Sequence, residues 1–329
     1  MSLATVYRPK NFDDVIGQQI IVEILKNQIE SGKLSSSYLF NGPSGCGKTT
    51  IARIFSNLIN GFKGHPIEVD GATNNGVDNV RQIIENARQR SLDSEYKVFI
   101  IDECHLVTAA GWGAFLKIIE EPIPYTKFIF CTTNPEKIPD TIITRVQQFN
   151  FTKVSSDQIK SRLSYIANAE GVTVTDDALT YIVDLANNGV RQAVANLEKC
   201  INYNSNITIN TATEALGTGS YDDIGNFLVS VLTGDVEKAI LLLNQLYQTG
   251  VNPNQFIYDT LMFVLKLNKS VLVSFSGILP DLEVINALKA YKDKFLPLLE
   301  FLSDLHESIK HDNNPLPLIE VSLFRWCVS

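Results

Sequence analysis

The pattern of apolar and polar residues changes twice along the chain. Up to about residue 150, short apolar runs typical of β-strands alternate with segments whose apolar residues recur every three or four positions. The predicted strands are Tyr38–Asn41, Ile67–Asp70, Val98–Ile101, Phe128–Thr132 and Gln148–Phe151. Strands that alternate with helices predict an α/β domain with a parallel sheet over residues 1–150.

After residue 150 the pattern becomes helical. Segments between residues 151 and 217 begin with Ser or Asp and stop at Gly or Asn, which is typical of short capped helices. We therefore expect a small helical domain at 151–217. Longer amphipathic segments continue over residues 218–329, broken by Gly219, Gly250 and Pro253, and they predict a second, all-helical domain.

Composition excludes several classes of protein. A length of 329 residues suggests roughly two domains, and 45% hydrophobic residues exclude disordered and fibrous chains. No apolar run approaches the ~18 residues of a membrane span, and the start of the chain lacks an apolar signal region, so we expect a soluble, cytoplasmic protein. Five scattered cysteines fit neither a disulfide framework nor a zinc cluster.

The formal net charge of −8 argues at first against a protein that binds nucleic acid. The acidity is uneven, however. Residues 216–329 carry 13 acidic and 8 basic groups, whereas residues 1–150 carry 16 and 15. The whole-chain charge therefore says little about the α/β domain, and any DNA binding by it is expected to be modest until the protein is assembled with partners.

A glycine-rich motif lies between the first predicted strand and a predicted helix from Thr49 to about Asn60. Residues 42–50 read GPSGCGKTT, which matches the phosphate-binding loop of nucleotide-binding proteins. Lys48 is expected to reach the β- and γ-phosphates, and the Thr49 hydroxyl to ligate Mg²⁺. A glycine-rich turn without a ligand is the alternative. The nucleotide contacts expected from this loop are Ser44, Gly45, Cys46, Gly47, Lys48, Thr49 and Thr50.

Polar residues end two later strands. Asp102 and Glu103 follow an apolar run, and they predict a Mg²⁺ ligand and a base that orients and deprotonates the attacking water. The alternative is a strand cap or a solvated pair of carboxylates. His105 is interpreted as a turn residue rather than a switch residue. Thr133 and Asn134 end the next strand and are candidates to contact the γ-phosphate or the water, or they only form a turn.

These motifs together resemble the AAA+ ATPases, and among them the gamma/tau family of bacterial sliding-clamp loaders. The resemblance covers nearly the whole chain, and its specificity comes from the order and spacing of the motifs. The residues that carry it are 7–18 (YRPKNFDDVIGQ), the phosphate-binding loop, 102–105 (DECH), 115–122 (FLKIIEEP), 132–135 (TTNP), 144–146 (TRV) and 188–193 (NGVRQA).

The resemblance implies roles for residues outside the phosphate-binding loop. The segment that contains Tyr7, Pro9, Val15 and Ile16 corresponds to the adenine pocket of the family, although by pattern alone it could be an ordered N-terminal arm. Thr133 corresponds to the first sensor residue of the family.

Two arginines also match the family. Arg145 corresponds to the arginine that reaches into the ATP site of the neighbouring subunit, and its alternative is an ordinary surface arginine. Arg191 corresponds to the second sensor, which contacts the phosphates of its own subunit from the small helical domain.

The resemblance further implies a three-part architecture and a function. The parts are an AAA+ domain at 1–150, a helical lid at 151–217 and a helical collar at 218–329 that oligomerises. The function is that of an ATPase subunit, with ATP and Mg²⁺, that opens a sliding clamp and places it on primer-template DNA. The implied partners are the clamp, the DNA and other loader subunits in a ring expected to be pentameric, with no membrane. The alternatives are a DECH-box-like DNA helicase and a non-catalytic scaffold subunit.

The chain departs from the family in one informative place. The bacterial family normally carries a four-cysteine zinc module after the helix of the phosphate-binding loop, whereas here residues 60–66 lead directly to the next strand. We therefore expect no zinc. A compact, zinc-free version suits a bacteriophage or a divergent bacterial replisome.

Overall fold

The computed structural model describes residues 2–273, 288 and 290–328, and these form two compact units. The first unit comprises Met1–Ile166 and Ala186–Ala195, and the second comprises Ala167–Leu185 and Asn196–Ser329. Each unit is described by itself. The division into three domains at 1–150, 151–217 and 218–329 stays a prediction, and residues 274–287, 289 and 329 of the expected collar lie outside the described residues.

A five-stranded parallel sheet forms the centre of the first unit. Its strands run in the order β2-β3-β4-β1-β5. Each predicted strand is present within two residues of its expected ends, so the α/β class expected for this part of the chain is confirmed. The strands are β1 Ser37–Asn41, β2 Ile67–Asp70, β3 Lys97–Asp102, β4 Thr126–Thr132 and β5 Gln147–Asn150.

Helices follow or precede the strands of this unit. The predicted helix after the glycine-rich motif is α3, and it begins one residue earlier than expected. The helices are α1 Leu3–Val6, α2 Gln19–Ser31, α3 Lys48–Ile59, α4 Val77–Ala87, α5 Ala109–Glu120, α6 Asp140–Ile143 and α7 Ser156–Ala169. Shorter 3₁₀ turns lie at Phe12–Asp14, Cys104–Leu106 and Pro135–Lys137.

The sheet is buried on both faces, because successive side chains of a strand point to opposite sides. Phe40 belongs to a cluster with residues of α2 and α3, whereas its neighbour Leu39 belongs to a cluster with residues of α4 and α5. Phe128 and Phe130 stack in the second cluster with ring centroids 5.9 Å apart. Burial on both faces explains why these strands read as continuous apolar runs.

The register of the sheet brings the polar strand ends to one edge. Asn41 of β1 pairs with Thr132 of β4, and Asp70 of β2 pairs with Asp102 of β3. The carboxyl ends of β1, β3 and β4 therefore lie together, which is where ligands bind in parallel α/β sheets.

The second unit is helical, apart from a short parallel pair of strands, β6 Thr173–Val174 and β7 Asn206–Ile207. Strands of two residues carry no periodicity that a sequence pattern could reveal. The remaining described helices are α8 Asp176–Leu185, α9 Val190–Tyr203, α10 Ile209–Leu216, α11 Tyr221–Thr233, α12 Val236–Gln248, α13 Pro253–Val273, α14 Phe295–Ile309 and α15 Leu316–Val328, with a 3₁₀ turn at Lys292–Lys294. α7 and α9 cross from one unit to the other.

A group of ionisable side chains joins three helices of the second unit. Asp184 of α8 accepts hydrogen bonds from the Tyr221 hydroxyl of α11 at 3.2 Å and from the Lys266 ammonium of α13 at 2.8 Å. Asp259, also on α13, accepts a 2.8 Å hydrogen bond from Gln255, and burial raises the pKa of its carboxyl to about 6. A membrane-spanning helix was sought along the described residues, and none is long and apolar enough.

Candidate nucleotide-binding site

The loop of the glycine-rich motif depends on glycine at specific backbone positions. Gly42 has a φ of 148°, and a Cβ atom there would lie 2.4 Å from the carbonyl oxygen of Phe151. Gly45 and Gly47 have φ values of 72° and 103°, in the region that L-residues with a side chain rarely adopt. Because α3 begins directly after the loop, its unpaired N–H groups and the positive end of its dipole lie at this site.

Lys48 is held inside the loop. Lys48 is 7% exposed, and its Nζ donates hydrogen bonds of 2.8 Å to the carbonyl oxygens of both Gly42 and Pro43. These two bonds fix the ammonium beside the backbone of the loop, at the amino end of α3. A cation and a helix N-terminus together form a site for phosphate oxygens.

Thr49 and Asp102 bring two hard oxygen donors together. The Thr49 hydroxyl donates a 2.8 Å hydrogen bond to Oδ2 of Asp102, and Oδ1 accepts a 3.0 Å bond from the N–H of Glu103. Mg²⁺ prefers one or two protein oxygens together with phosphate oxygens and water. A hydroxyl and a carboxylate beside a phosphate-binding loop fit that preference, so these residues are suited to hold Mg²⁺. Among the described residues, no group of three or more His, Cys, Asp or Glu side chains is arranged to hold a metal ion by itself.

Glu103 is held by side chains at the ends of β3 and β4. Its backbone is left-handed, with a φ of 46°, which is a strained conformation for a residue other than glycine. Its Oε2 lies 3.3 Å from the Thr133 hydroxyl and 3.4 Å from Nδ1 of His105. The Thr133 hydroxyl also lies 2.8 Å from Oδ1 of Asn134. The carboxylate is therefore oriented toward the predicted first sensor.

One cavity of the first unit collects most of the residues that the sequence analysis selected. It is bordered by the adenine-pocket segment, the phosphate-binding loop, the two acidic residues and Arg191. The expected residues in its lining are Tyr7, Pro9, Val15, Ile16, Ser44, Gly45, Cys46, Gly47, Lys48, Thr49, Thr50, Asp102, Glu103 and Arg191. Selected residues from five separate stretches of sequence thus meet around a single space.

Three of the selected residues, Thr133, Asn134 and Arg145, lie outside that lining. The Thr133 hydroxyl lies 3.3 Å from Oε2 of Glu103, which belongs to the lining, and 2.8 Å from Oδ1 of Asn134. Arg145 is half-exposed, and its Nε lies 3.0 Å from Oε1 of Glu120 while Nη1 donates a 2.8 Å bond to the carbonyl oxygen of Thr141. Arg145 is therefore not brought to the cavity of its own chain, and the role expected for it at a neighbouring subunit stays a prediction.

The cavity also contains arginines that the sequence analysis did not select. Arg8 lies between two selected residues and could have been inferred from the motif, but Arg162 on α7 has no such signal. Nη2 of Arg162 donates a 2.6 Å hydrogen bond to the carbonyl oxygen of Tyr7. Its guanidinium lies 5.1 Å from the centroid of the Tyr165 ring, and the Tyr7 and Tyr165 rings meet edge to face at 6.4 Å. Arg162 thus fastens the N-terminal segment to α7.

Gln18 is a further residue that sequence reasoning left without a role. It is 9% exposed, with a left-handed φ of 58°. Its Nε2 donates a 2.6 Å bond to the carbonyl oxygen of Thr152, and its Oε1 accepts a 3.2 Å bond from the N–H of the same residue. Nε2 also lies 3.4 Å from the carbonyl oxygen of Cys46. One amide therefore contacts both the phosphate-binding loop and the segment that follows β5.

The thiol of Cys46 is suited to packing rather than to chemistry. Burial raises its pKa above the ordinary value, and the positive charge of Lys48 opposes this only in part. A thiol with a raised pKa stays protonated near neutral pH and is a poor nucleophile. Cys46 therefore forms part of the wall of the cavity.

Comparisons with known proteins match the chain to subunits of DNA polymerase III. The family model for the DNA polymerase III delta subunit matches residues 60–155. The chain is 32% identical to DNA polymerase III subunit tau of Bacillus subtilis over 99% of its own length and 63% of that protein. It is also 32% identical to DNA polymerase III subunit gamma of Buchnera aphidicola from Acyrthosiphon pisum, over 82% of this chain and 80% of that one.

The chain spans only part of the length of two of its relatives. It covers 63% of the Bacillus subtilis protein and 47% of DNA polymerase III subunit gamma/tau of Mycoplasma genitalium, to which it is 34% identical. None of the relatives named here comes from a bacteriophage, so a phage origin, one of the two expected origins, stays a prediction.

Solved structures with the same fold include the Thermotoga maritima RuvB Holliday junction branch migration motor. That structure matches with a TM-score of 0.55 at 19% identity, over 78% of this chain and 90% of the RuvB chain. At this identity the match shows the fold alone. The expected fold class, an AAA+ domain followed by helical regions, is thereby confirmed.

Proposed function

Because the chain belongs to the gamma/tau subunit family of DNA polymerase III, we propose that it is the ATPase subunit of a sliding-clamp loader. It binds and hydrolyses ATP with Mg²⁺ in the cavity of the first unit. ATP binding favours the conformation that opens a sliding clamp, and hydrolysis releases the closed clamp on primer-template DNA. ATP can shift the conformation only through its preferential affinity for one state.

The observation that carries the proposal is the convergence of Lys48, Thr49, Asp102 and Glu103 on one cavity. Phosphoryl transfer needs positioned charge and an oriented water more than it needs covalent chemistry. Lys48 supplies positive charge for the β- and γ-phosphates, and Glu103 orients the water and accepts its proton. Thr49 and Asp102 would hold Mg²⁺, which neutralises phosphate charge when it is bound.

The adenine end of the cavity is assigned to the N-terminal segment. Tyr7, Pro9, Val15 and Ile16 present mainly apolar and aromatic surface, which suits the flat face of a base. Arg191 lies in the same lining at the second residue of α9, where a guanidinium can contact phosphate oxygens. Arg191 therefore senses the phosphates in its own chain.

The subunit acts with partners in the cytoplasm. Arg145 is half-exposed away from its own cavity, as expected for a residue that serves the ATP site of a neighbouring subunit. On the collar, α15 exposes the apolar side chains of Leu318, Val321 and Phe324, which suits contact with another subunit. We infer a ring with other loader subunits, expected to be pentameric and zinc-free, that binds the clamp and primer-template DNA.

Two other functions compete with this one. A DECH-box-like helicase needs a second α/β motor domain. The described residues after Phe151 form helices and one pair of two-residue strands instead. A non-catalytic scaffold would not require the intact set of Lys48, Thr49, Asp102 and Glu103. A strand-unwinding assay tests the first alternative, and measurement of the ATPase rate tests the second.

The deciding experiment combines the purified chain with candidate clamp and partner subunits. We expect ATP hydrolysis that primer-template DNA and the clamp stimulate, together with transfer of labelled clamp onto DNA. Lys48→Ala should abolish both, whereas Lys63→Ala, at an exposed residue of the loop before β2, should change neither. Normal clamp loading by the Lys48→Ala protein, or DNA unwinding without clamp loading by the unmodified one, would contradict the proposal.

A further inference from the structure

His105 lies beside the Glu103 carboxylate, although its position in the sequence suggests only a turn residue. It occupies the middle of the 3₁₀ turn Cys104–Leu106, directly after β3, as the turn interpretation expects. Its side chain is 11% exposed, however, and Nδ1 lies 3.4 Å from Oε2 of Glu103 and 3.2 Å from the hydroxyl oxygen of Thr132. The imidazole therefore faces the carboxylate expected to act as the base.

The surroundings of Nδ1 determine which ring nitrogen carries the proton. An ionised carboxylate oxygen only accepts hydrogen bonds, so a bare Nδ1 would set its lone pair against those of Glu103. Thr132 is fully buried, and its hydroxyl oxygen accepts a 3.0 Å hydrogen bond from the N–H of Asn134. This bond holds the Thr132 hydroxyl beside the imidazole ring. We assign the proton to Nδ1, so that His105 donates toward Glu103.

We propose that His105 is a positioning residue that sets the direction of the Glu103 carboxylate. The proposal rests on the ATP hydrolysis inferred above. The left-handed backbone of Glu103 takes its side chain out of the regular strand direction, so its orientation depends on contacts with neighbouring side chains. His105 and Thr133 both approach Oε2. Neither contact uses Oε1.

Because Oε2 is held by these two contacts, Oε1 is the oxygen that faces the attacking water in this account. The water oxygen forms a bond to the γ-phosphorus while the bond to the ADP oxygen breaks, and Oε1 of Glu103 takes a proton from the water. A base works at full rate only when it points at the proton that it removes, and a third group commonly orients it. His105 acts through Glu103 and does not contact the nucleotide in this account.

Three substitutions of His105 separate the position of the donor from the bulk of the ring. His105→Asn places an amide N–H where Nδ1 now lies, whereas His105→Gln places the same amide about one bond farther out, near Nε2. His105→Ala removes both. His65→Ala is the matched control, because His65 is exposed in the loop before β2.

The expected results concern turnover rather than binding. His105→Ala should lower kcat for ATP about tenfold or more while KM stays within about twofold, because the loss affects only the transition state. His105→Asn should recover most of kcat and His105→Gln should not. In single-turnover assays of Glu103→Gln protein, adding His105→Ala should leave the residual rate unchanged, because the positioning acts through the carboxylate.

Several results would overturn the inference. One is a normal kcat for His105→Ala protein when Glu103→Gln protein is inactive. Another is an equal kcat for the His105→Asn and His105→Gln proteins. A third is a further fall in the single-turnover rate when His105→Ala is added to Glu103→Gln. Each would leave the proposed ATPase function standing. Absence of ATP hydrolysis by the unmodified protein, tested with DNA and clamp, would overturn both proposals together.

Discussion

The hydroxyl of Thr49 donates a 2.8 Å hydrogen bond to Oδ2 of Asp102, although the two residues are 53 positions apart in the chain. The bond joins the first turn of α3 to the last residue of β3. It therefore fixes the phosphate-binding loop relative to the edge of the sheet where the acidic residues lie. Because a metal ion must separate such a pair to bind between them, the two oxygens also mark the expected Mg²⁺ position.

Removal of the Thr49 hydroxyl should weaken the use of Mg²⁺. For Thr49→Ala we expect the Mg²⁺ concentration that gives half-maximal ATPase activity to rise about tenfold, because one Mg²⁺ ligand and its hydrogen bond are lost. Thr49→Ser keeps the hydroxyl and should behave like the unmodified protein. A Mg²⁺ titration at saturating ATP measures the effect, and identical titration curves for the Ala and Ser variants would contradict the assignment.

Arg145 should act on the ATP site of another chain. Arg145→Ala should abolish hydrolysis and leave the Kd for ATP within about twofold, because an arginine that stabilises transition-state charge contributes about 10³–10⁵ in rate. Equilibrium binding of a fluorescent ATP analogue, measured beside the turnover rate, tests this. ATP affinity that falls as much as turnover would count against the role.

A mixing experiment tests whether Arg145 acts between chains. Glu103→Gln and Arg145→Ala proteins should each be inactive, but in a mixed assembly the intact Glu103 of one chain meets the intact Arg145 of the next. Hydrolysis should then return to a fraction of the normal rate. Activity that stays absent over all mixing ratios, in assemblies shown by native mass spectrometry to be mixed, would contradict the arrangement.

The link from Arg162 to Tyr7 should slow the release of nucleotide. Arg162→Ala removes a 2.6 Å charge-assisted bond to the backbone that borders the cavity, so we expect the Kd for ATP to rise about tenfold, mainly through faster dissociation. Stopped-flow release of a fluorescent nucleotide measures it. Arg81→Ala is the control, since Arg81 is exposed and pairs with Asp78 on α4. Equal release rates for the two variants would contradict the prediction.

The buried carboxyl of Asp259 should make stability depend on pH. Burial raises its pKa to about 6 from an ordinary value of 3.8, so between about pH 4 and pH 6 the folded state holds a proton that the unfolded state has lost. Stability therefore falls as pH rises through this window and is lower by about 3 kcal/mol above it.

Asp259→Asn removes this cost and should raise the free energy of unfolding near pH 7.5 but not near pH 4. Denaturant unfolding at several pH values measures it. Asp304→Asn is the control, since Asp304 is exposed on α14. A parallel rise for both variants, or no rise for Asp259→Asn, would contradict the attribution to burial.

The elements that the sequence predicted well are those with strong local patterns. Residues 128–131 of β4 form a continuous apolar run because the strand is buried on both faces, and the motif at 42–50 has glycine at positions where φ is positive. The same local signals located Lys48, Thr49, Asp102 and Glu103. Their convergence could be expected because the carboxyl ends of parallel strands share one edge.

The contacts that sequence reasoning missed are those between residues far apart in the chain. Arg162 and Tyr7 are separated by 155 positions, and nothing in the local pattern of α7 distinguishes Arg162 from the other polar residues of that helix. His105 was correctly placed in a turn, but the direction of its ring depends on how β3 and β4 are paired. Only the folded arrangement reveals such partners.

The side-chain amide of Gln18 couples the position of the phosphate-binding loop to that of the segment after β5. It bonds to both the backbone N–H and the carbonyl oxygen of Thr152, and its Nε2 also lies 3.4 Å from the Cys46 carbonyl oxygen in the phosphate-binding loop. A displacement of that loop must therefore either stretch the Cys46 contact or move the peptide of Thr152, from which the chain runs on to α7. Because one amide holds both segments, a shift of the loop is passed to the backbone of Thr152. The exchange rate of the Thr152 amide hydrogen should therefore differ between the protein with and without bound nucleotide.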